Sequence, residues 1–324
     1  MRPSDLAEAP LALDTIVFAR GLSTSAGVRP ELDGIDLDIL PGEIFSIVGR
    51  SGAGKTCLLE ALVGLRPFSA KHLLVCGTDP RQFPRAVKQR IGVAPSRVAV
   101  ERTITVEEAL QLFAGFYEQA DPEGTMDRLD LQGVRHRVVE SLPPPLMQRV
   151  SLALALLNDP VVLFADEPTR DQDPEGARLV WHLLRERRER GRTSVITTNH
   201  LDEAARLSDR VAVIRNGRLV AADTPAALIA GSASTSVQIV IELLKPALET
   251  DELRTIDGVI EVQQDRAHYT VTSGDGVATL RRILRVLDTA GVRPLNVSMR
   301  QQTLEDVFFA LTAPDGDASR ESLQ

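Results

Sequence analysis

The chain has 324 residues, 43% of them hydrophobic and 25% charged, with a formal net charge of −8 at pH 7. That length supports two domains and a large core, and the acidic balance disfavours a nucleic-acid-binding body. Cys57 and Cys76 are the only cysteines and lack both metal-ligand spacing and a paired motif, which excludes a disulfide scaffold and fits a reducing compartment.

From the N-terminus, Met1-Arg2-Pro3-Ser4-Asp5 lacks a signal-like apolar core, and no run along the chain approaches the ~20 residues that a membrane span requires. Residues up to about 30 read as an exposed tail, a strand around Thr15 to Ala19 and a polar loop. Ile35-Asp36-Leu37-Asp38-Ile39 alternates apolar and acidic, as a half-buried strand should. Ile44 to Val48, bounded by Pro41-Gly42, predicts a buried strand, and Cys57 to Val63 carries a helical stripe.

Between that strand and that helix stands Gly49-Arg50-Ser51-Gly52-Ala53-Gly54-Lys55-Thr56, a match to G-x-x-x-x-G-K-[ST]. Its glycines let backbone N–H groups curl around a phosphate, the new helix aims its positive end at the same place, and Lys55 adds a full charge. Thr56 supplies a hydroxyl suited to Mg²⁺. The pattern predicts a nucleotide site.

From Glu101 to Leu142 the pattern turns helical, with Ala109, Leu110, Leu112, Phe113 and Phe116 as a stripe. Leu142-Pro143-Pro144-Pro145-Leu146 follows, and then a helix over Met147 to Leu157. Val161 to Ala165 is a strand-length apolar run ending in Asp166-Glu167. In P-loop enzymes such a strand emerges beside the phosphate loop, so Asp166 is expected to hold the metal and Glu167 to act as general base.

The basic run Arg185 to Arg190 is interleaved with acids at a helix end and reads as a solvated face. Ser194 to Thr198 is β-branched and apolar, which puts His200 just past a strand end. His72, His136, His182 and His268 have no such setting and read as ordinary surface or core residues. Strands alternate with helices through Val213, which implies a mostly parallel sheet covered on both faces.

Gly231 to Ser236 is a small, polar linker and the expected domain boundary. Beyond it the patterns predict a strand over Val237 to Leu243, a helix over Pro246 to Ile256, and strands near Val259 to Val262 and Tyr269 to Thr272. A helix over Val277 to Leu287, a strand over Leu295 to Met299 and a helix over Leu304 to Leu311 complete the series. That order implies a ferredoxin-like α+β module. It carries no cluster of catalytic residue types, and residues 314–324 read as a disordered tail.

Asp166-Glu167-Pro168-Thr169, then Asp173-Pro174, then Thr198-Asn199-His200 before Asp202-Glu203-Ala204 resemble an ABC-transporter ATP-binding subunit in order and spacing. Ile91 to Pro95, Thr105-Val106-Glu107-Glu108, and Asp209 to Val213 leading to Asn216-Gly217 agree with it. Thr303 to Phe308 is similar to the closing helix of the drug-resistance and polysaccharide exporter ATPases.

The resemblance implies an α/β fold: a P-loop NTPase (ABC ATPase) domain over 1–233, with a helical subdomain about 100–155 where a permease docks. A small C-terminal ferredoxin-like α+β domain over 234–313 follows, suited to regulation, dimer contacts or permease contacts. ATP and Mg²⁺ are the implied cofactors, and His200 would contact the γ-phosphate. The implied partners are an integral-membrane permease and a second ABC ATPase subunit, with no nucleic acid. The implied location is cytoplasmic, peripheral on the inner face of the cell membrane.

Three departures from the family pattern qualify this. Leu142 to Arg149 occupies the slot of the Leu-Ser-Gly-Gly-Gln signature, which in the family offers a hydroxyl and glycine N–H groups to the γ-phosphate on the opposite subunit of a head-to-tail dimer. The prolines remove those donors, and losing one preorganised catalytic donor costs on the order of a hundredfold in rate. Ser96 stands where the family has a Gln that reaches the metal and the attacking water, so metal binding through a bridging water is expected with weaker coupling. Ala26 stands nearest the usual adenine-stacking aromatic, and Arg170 and Asp171 replace small residues.

The expected function is therefore the ATP-binding subunit of an ABC exporter, acting through a separate permease as one half of an asymmetric dimer. It is an ATPase weakened as a homodimer. A nucleotide-binding regulator or scaffold with little turnover is the alternative, and a non-transport ATPase is disfavoured by the acidic balance and the exporter-like tail.

Overall fold

All five side chains of Ile44–Val48 are buried, as in a strand covered on both faces. In this computed structural model, which describes residues 14–26, 29–83, 85–96, 103–231, 237–245, 250–301 and 303–312, the chain divides into two compact units at Pro225/Ala226.

The strands of the first unit are β1 (Val17–Ala26), β2 (Arg29–Ile39), β3 (Ile44–Val48), β4 (His72–Val75) and β5 (Ile91–Ala94). After them come β6 (Val162–Asp166), β7 (Thr193–Thr198), β8 (Arg210–Arg215) and β9 (Arg218–Asp223). Six of them form a sheet in the order β5-β6-β7-β3-β8-β9, parallel except for β9. β2-β1-β4 form a separate antiparallel sheet.

The helices are α1 (Lys55–Leu62), α2 (Arg85–Lys88), α3 (Val106–Ala114), α4 (Pro122–Arg128), α5 (Pro144–Leu156), α6 (Pro174–Glu189) and α7 (Leu201–Leu207). Alternation along the central strands feeds two cores. Phe45, Ile47 and Phe164 pack with α1 and the smaller sheet, while Ile44, Leu163 and Ile196 pack with α5 and α6.

Three expectations are corrected here. The polar loop expected after Ala19 is instead the continuation of β1 and the start of β2, paired from Val17↔Ile39 to Ala26↔Arg29. Leu22 and Leu32 are fully buried, so this hairpin has an apolar face that its polar composition hides. The helix expected from Met147 starts at Pro144, with Pro143 as N-cap. Proline suits a first helical position, where its missing N–H has no intrahelical acceptor and its φ is already helical.

The third correction is Arg187, which is 3% exposed and not solvated. Its guanidinium donates to Pro160 O at 2.9 Å and faces Asp159 at 3.5 Å. Burial, aided by nearby arginines, lowers its pKa to about 10. The expected stripe also divides: Ala109 and Leu110 of α3 are buried, whereas Leu112 and, past the end of that helix, Phe116 are exposed.

The helix α8 (Pro225–Gly231) leads into the second unit, whose strands are β10 (Val237–Glu242), β11 (Val259–Asp265), β12 (His268–Ser273) and β13 (Asn296–Gln301). Its helices are α9 (Thr250–Arg254), α10 (Gly276–Thr289) and α11 (Leu304–Thr312). The strands form one antiparallel sheet in the order β11-β12-β10-β13, the ferredoxin-like arrangement. Ile239, Ile241, Tyr269 and Val271 bury one face of it with Ile283 and Leu287 of α10. The expected tail from Met1, the linker residues 232–236, the helix start at 246–249 and the tail 314–324 lie outside the described residues. No helix among the described residues is long and apolar enough to cross a membrane.

Candidate functional site

The loop Gly49–Gly54 leaves β3 and turns directly into α1. Gly54 has φ +105°, and a Cβ there would meet Glu31 O at 3.0 Å. A Cβ on Gly49 would meet Ile214 O at 2.6 Å, so the loop seats against β8 only without a side chain. The Lys55 side chain folds back under the loop, its Nζ donating to Gly49 O at 2.9 Å, Arg50 O at 3.2 Å and Asn199 Oδ1 at 2.7 Å. It is 6% exposed. Burial lowers its pKa, against an opposing pull from the Glu167 and Asp166 carboxylates.

The end of β6 supplies the opposing charges. Asp166, 2% exposed, accepts from Thr56 Oγ1 at 2.9 Å and from Thr197 Oγ1 at 2.5 Å. Glu167 has φ +48°, and its N–H donates to Thr197 Oγ1 at 2.9 Å. Its Oε1 accepts from Asn199 Nδ2 at 2.6 Å, and its Oε2 lies 3.3 Å from Arg170 Nη1. Buried Glu203 accepts from Thr198 Oγ1 at 2.6 Å and from Trp181 Nε1 at 2.7 Å, which fixes the end of β7 that carries Asn199.

Lys55, Thr56, Asp166 and Glu167 face one open cleft of about 880 Å³. Of the residues singled out in the sequence, Ser51, Gly52, Gly54, Lys55, Thr56, Ser96, Asp166 and Glu167 line it. Gly49, Arg50 and Ala53 act from behind: the first two carbonyls hold Lys55, and Ala53 O accepts from Gly217 N at 2.9 Å. His200 is exposed at the N-cap of α7, its N–H donating to Thr198 Oγ1 at 3.0 Å, and it does not line the cleft. The Ala26 side chain lies outside the described residues.

The pairing of Glu31 with Arg66 at 2.6 Å on the cleft wall had no signal in the sequence, because the two residues meet only through the fold. Asn199 had one, its place directly after a strand, yet its bridge between Lys55 and Glu167 emerges only in three dimensions.

No group of three or more His, Cys, Asp or Glu side chains suited to a metal occurs among the described residues. The oxygens present, Asp166 carboxylate beside Thr56 hydroxyl, fit Mg²⁺, which takes one or two protein ligands and completes its shell with phosphate and water.

At the start of α5, Pro143, Pro144 and Pro145 have no N–H, so Leu146 carries the one amide donor of that first turn. Pro145 O accepts from Gln172 Nε2 at 2.8 Å, and Arg149 Nε donates to Gln172 Oε1 at 3.1 Å. Gln148 Nε2 donates to Asp166 O at 3.3 Å, linking this helix to the end of β6.

Residues 32–170 match the sequence pattern of the family described as ABC transporter. The daunorubicin resistance ATP-binding protein DrrA3 of Streptomyces coeruleorubidus is 30% identical over 308 residues, covering 93% of this chain and 97% of that protein. The Nod factor export ATP-binding protein I of Paraburkholderia xenovorans is 32% identical over 296 residues, covering 89% and 94%. In fold, the chain is similar to an ATP-binding subunit of an ABC transporter, with TM-score 0.63 and 21% identity over 67% of this chain and 93% of that one. A dimeric ATP-binding cassette in a post-hydrolysis state, bound to ADP and phosphate, aligns with TM-score 0.59 and 21% identity over 64% and 98%. With relatives matched along nearly their whole length and a phosphate loop folded against its acidic strand end, the chain belongs to the ABC transporter family, among its ATP-binding proteins.

Proposed function

We propose that this chain is the ATP-binding subunit of an ABC exporter, binding MgATP and driving transport through a separate membrane permease as one half of an asymmetric dimer. The observation that carries nucleotide binding is the convergence of Lys55, Thr56, Asp166 and Glu167 on one cleft behind a glycine-rich turn. The export reading draws on the names of the daunorubicin resistance and Nod factor export relatives. The Mg²⁺ it requires supplies charge neutralisation for the phosphates.

In this reading the loop amides of Ser51 to Lys55 and the Lys55 ammonium bind the phosphate chain, with Thr56 and Asp166 holding the metal. Glu167 takes the proton of the attacking water, and Ser96 orients that water from the cleft wall. His200 keeps the γ-phosphate contact that the family resemblance implies, from its exposed place at the head of α7. The partners are the permease, docking at the helical subdomain, and a second ATPase subunit. The expected location is the inner face of the cell membrane.

Asymmetry follows from α5. A segment with one amide donor and no hydroxyl closes a partner's site poorly, whereas this chain's own cleft retains its metal and base residues. The same prolines favour a second reading, a regulator that binds nucleotide without turning it over. Glu167, held by Asn199 in the cleft, favours turnover.

The purified chain should bind MgATP in calorimetry yet release phosphate slowly until an ATPase subunit with an intact signature is added. Brisk hydrolysis by the chain alone contradicts asymmetry, absence of stimulation by any copurifying ATPase favours the regulator, and absence of heat removes the nucleotide reading.

A further inference from the structure

Arg170 is an unexpected cation in the cleft. Three residues after Glu167, its N–H donates to Glu167 O at 3.0 Å, and this turn carries the guanidinium over the glutamate side chain. Nη1 lies 3.3 Å from Glu167 Oε2, and Nε lies 3.7 Å from Asp171 Oδ2. Arg170 is 57% exposed, against 19% for Glu167, and it lines the same cleft as Lys55, Thr56 and Asp166.

Two consequences follow from these contacts. Asn199 occupies Oε1 of Glu167 while Arg170 faces Oε2, so both oxygens of the carboxylate are engaged. Lys55, Asn199, Glu167 and Arg170 thus form one polar chain, of which Lys55, Glu167 and Arg170 line the cleft. The second consequence is competition. The Arg170–Glu167 contact is solvent-exposed and the guanidinium is shared with Asp171, the kind of pairing that contributes little, whereas a guanidinium meets a phosphoryl group through two parallel hydrogen bonds. Lys55 is buried and already turned toward three oxygens, which leaves Arg170 as the exposed cation of the two.

We propose that Arg170 is a γ-phosphate-sensing positioning residue, which holds Glu167 in the nucleotide-free cleft and exchanges it for the terminal phosphate of ATP. The exchange leaves Glu167 Oε2 open to water, and it favours ATP over ADP because only ATP reaches the guanidinium. The inference rests on the nucleotide reading above, and its test separates the two.

Calorimetry on the full chain with MgATP, a non-hydrolysable analogue and MgADP gives the readout. Arg170→Ala is expected to raise the Kd for the triphosphates about tenfold, the scale of one charged hydrogen bond, and to move that for MgADP less than about twofold. Arg170→Lys, which keeps the charge without the fork, is expected to recover part of the difference. Glu167→Gln, which weakens the hold on Arg170, is expected to tighten triphosphate binding only where Arg170 is present. Equal losses for ATP and ADP, or no loss for either, overturn the proposal while leaving the nucleotide site standing. A wild-type chain that binds neither nucleotide removes the underlying reading instead. Circular dichroism of each variant separates misfolding from lost contact, and Arg170→Lys, with a smaller loss for the triphosphates than for Arg170→Ala and none for MgADP, tests the lost fork even if Arg170→Ala fails to fold.

Discussion

Cys57 lines the cleft with its thiol 3.0 Å from Thr24 Oγ1, and burial pushes that thiol up to about 11. The thiolate is the reactive form, so at pH 8 iodoacetamide should label the native chain far more slowly than the urea-unfolded chain. Mass spectrometry of the labelled peptide checks this, and fast native labelling at Cys57 contradicts the buried placement. Because folding favours the protonated thiol, its contribution to stability is present below the unfolded thiol pKa and is lost as pH rises through about 11. Arg187 gives a second residue-scale expectation: Arg187→Ala leaves the Pro160 and Thr193 carbonyls without their donor and should destabilise the chain by about 2–4 kcal/mol in urea titration. Its burial is illegible in the sequence, where one arginine among several reads as surface, and only its partners Asp159 and Pro160 ahead of β6 and Thr193 and Ser194 of β7 distinguish it. The phosphate loop was legible because its chemistry is local, eight consecutive residues. The bridge through Asn199 was not, because Lys55 and Glu167 meet it from distant parts of the chain.

Among the elements, α5 shows how sequence meaning depends on position within a helix. Read as breakers, three prolines push the expected helix start to Met147, whereas the structure uses Pro144 and Pro145 as its first turn. The helix survives because it loses only amides that had no intrahelical acceptor, and those same amides are the ones a bound phosphate would need. Replacing Pro143-Pro144-Pro145 by Ser-Gly-Gly therefore has two opposed expected effects. Phosphate release by the chain alone should rise on the order of a hundredfold, as the lost donors return. Stability should fall by about 1–2 kcal/mol, since glycine enlarges the unfolded ensemble that proline restricts. A stopped-rate phosphate assay and urea titration on one preparation read both, and unchanged turnover would show that the prolines are not what limits the site. The hairpin β1–β2 escapes the sequence pattern for a related reason: Leu22 and Leu32 bury its apolar face, but the polar residues between them mask the alternation.

Across the whole molecule, the candidate site falls within one of the two units. All the residues lining the cleft belong to the unit that ends at Pro225, while the second unit is a ferredoxin-like sheet with its own core of Ile239, Ile241, Tyr269 and Val271. That second fold was legible strand by strand, since alternation and short helices determine it without long-range contacts of charged side chains. A chain ended after Gly231, keeping α8 whole, loses no cleft residue and should bind MgATP within about threefold of the full chain, well under the tenfold that one charged hydrogen bond contributes. Calorimetry on both chains tests this, with circular dichroism to verify that the shorter one folds. A folded, shortened chain that no longer binds would mean that the second unit completes the site. Intact binding together with lost association with the proposed permease would assign that unit to assembly.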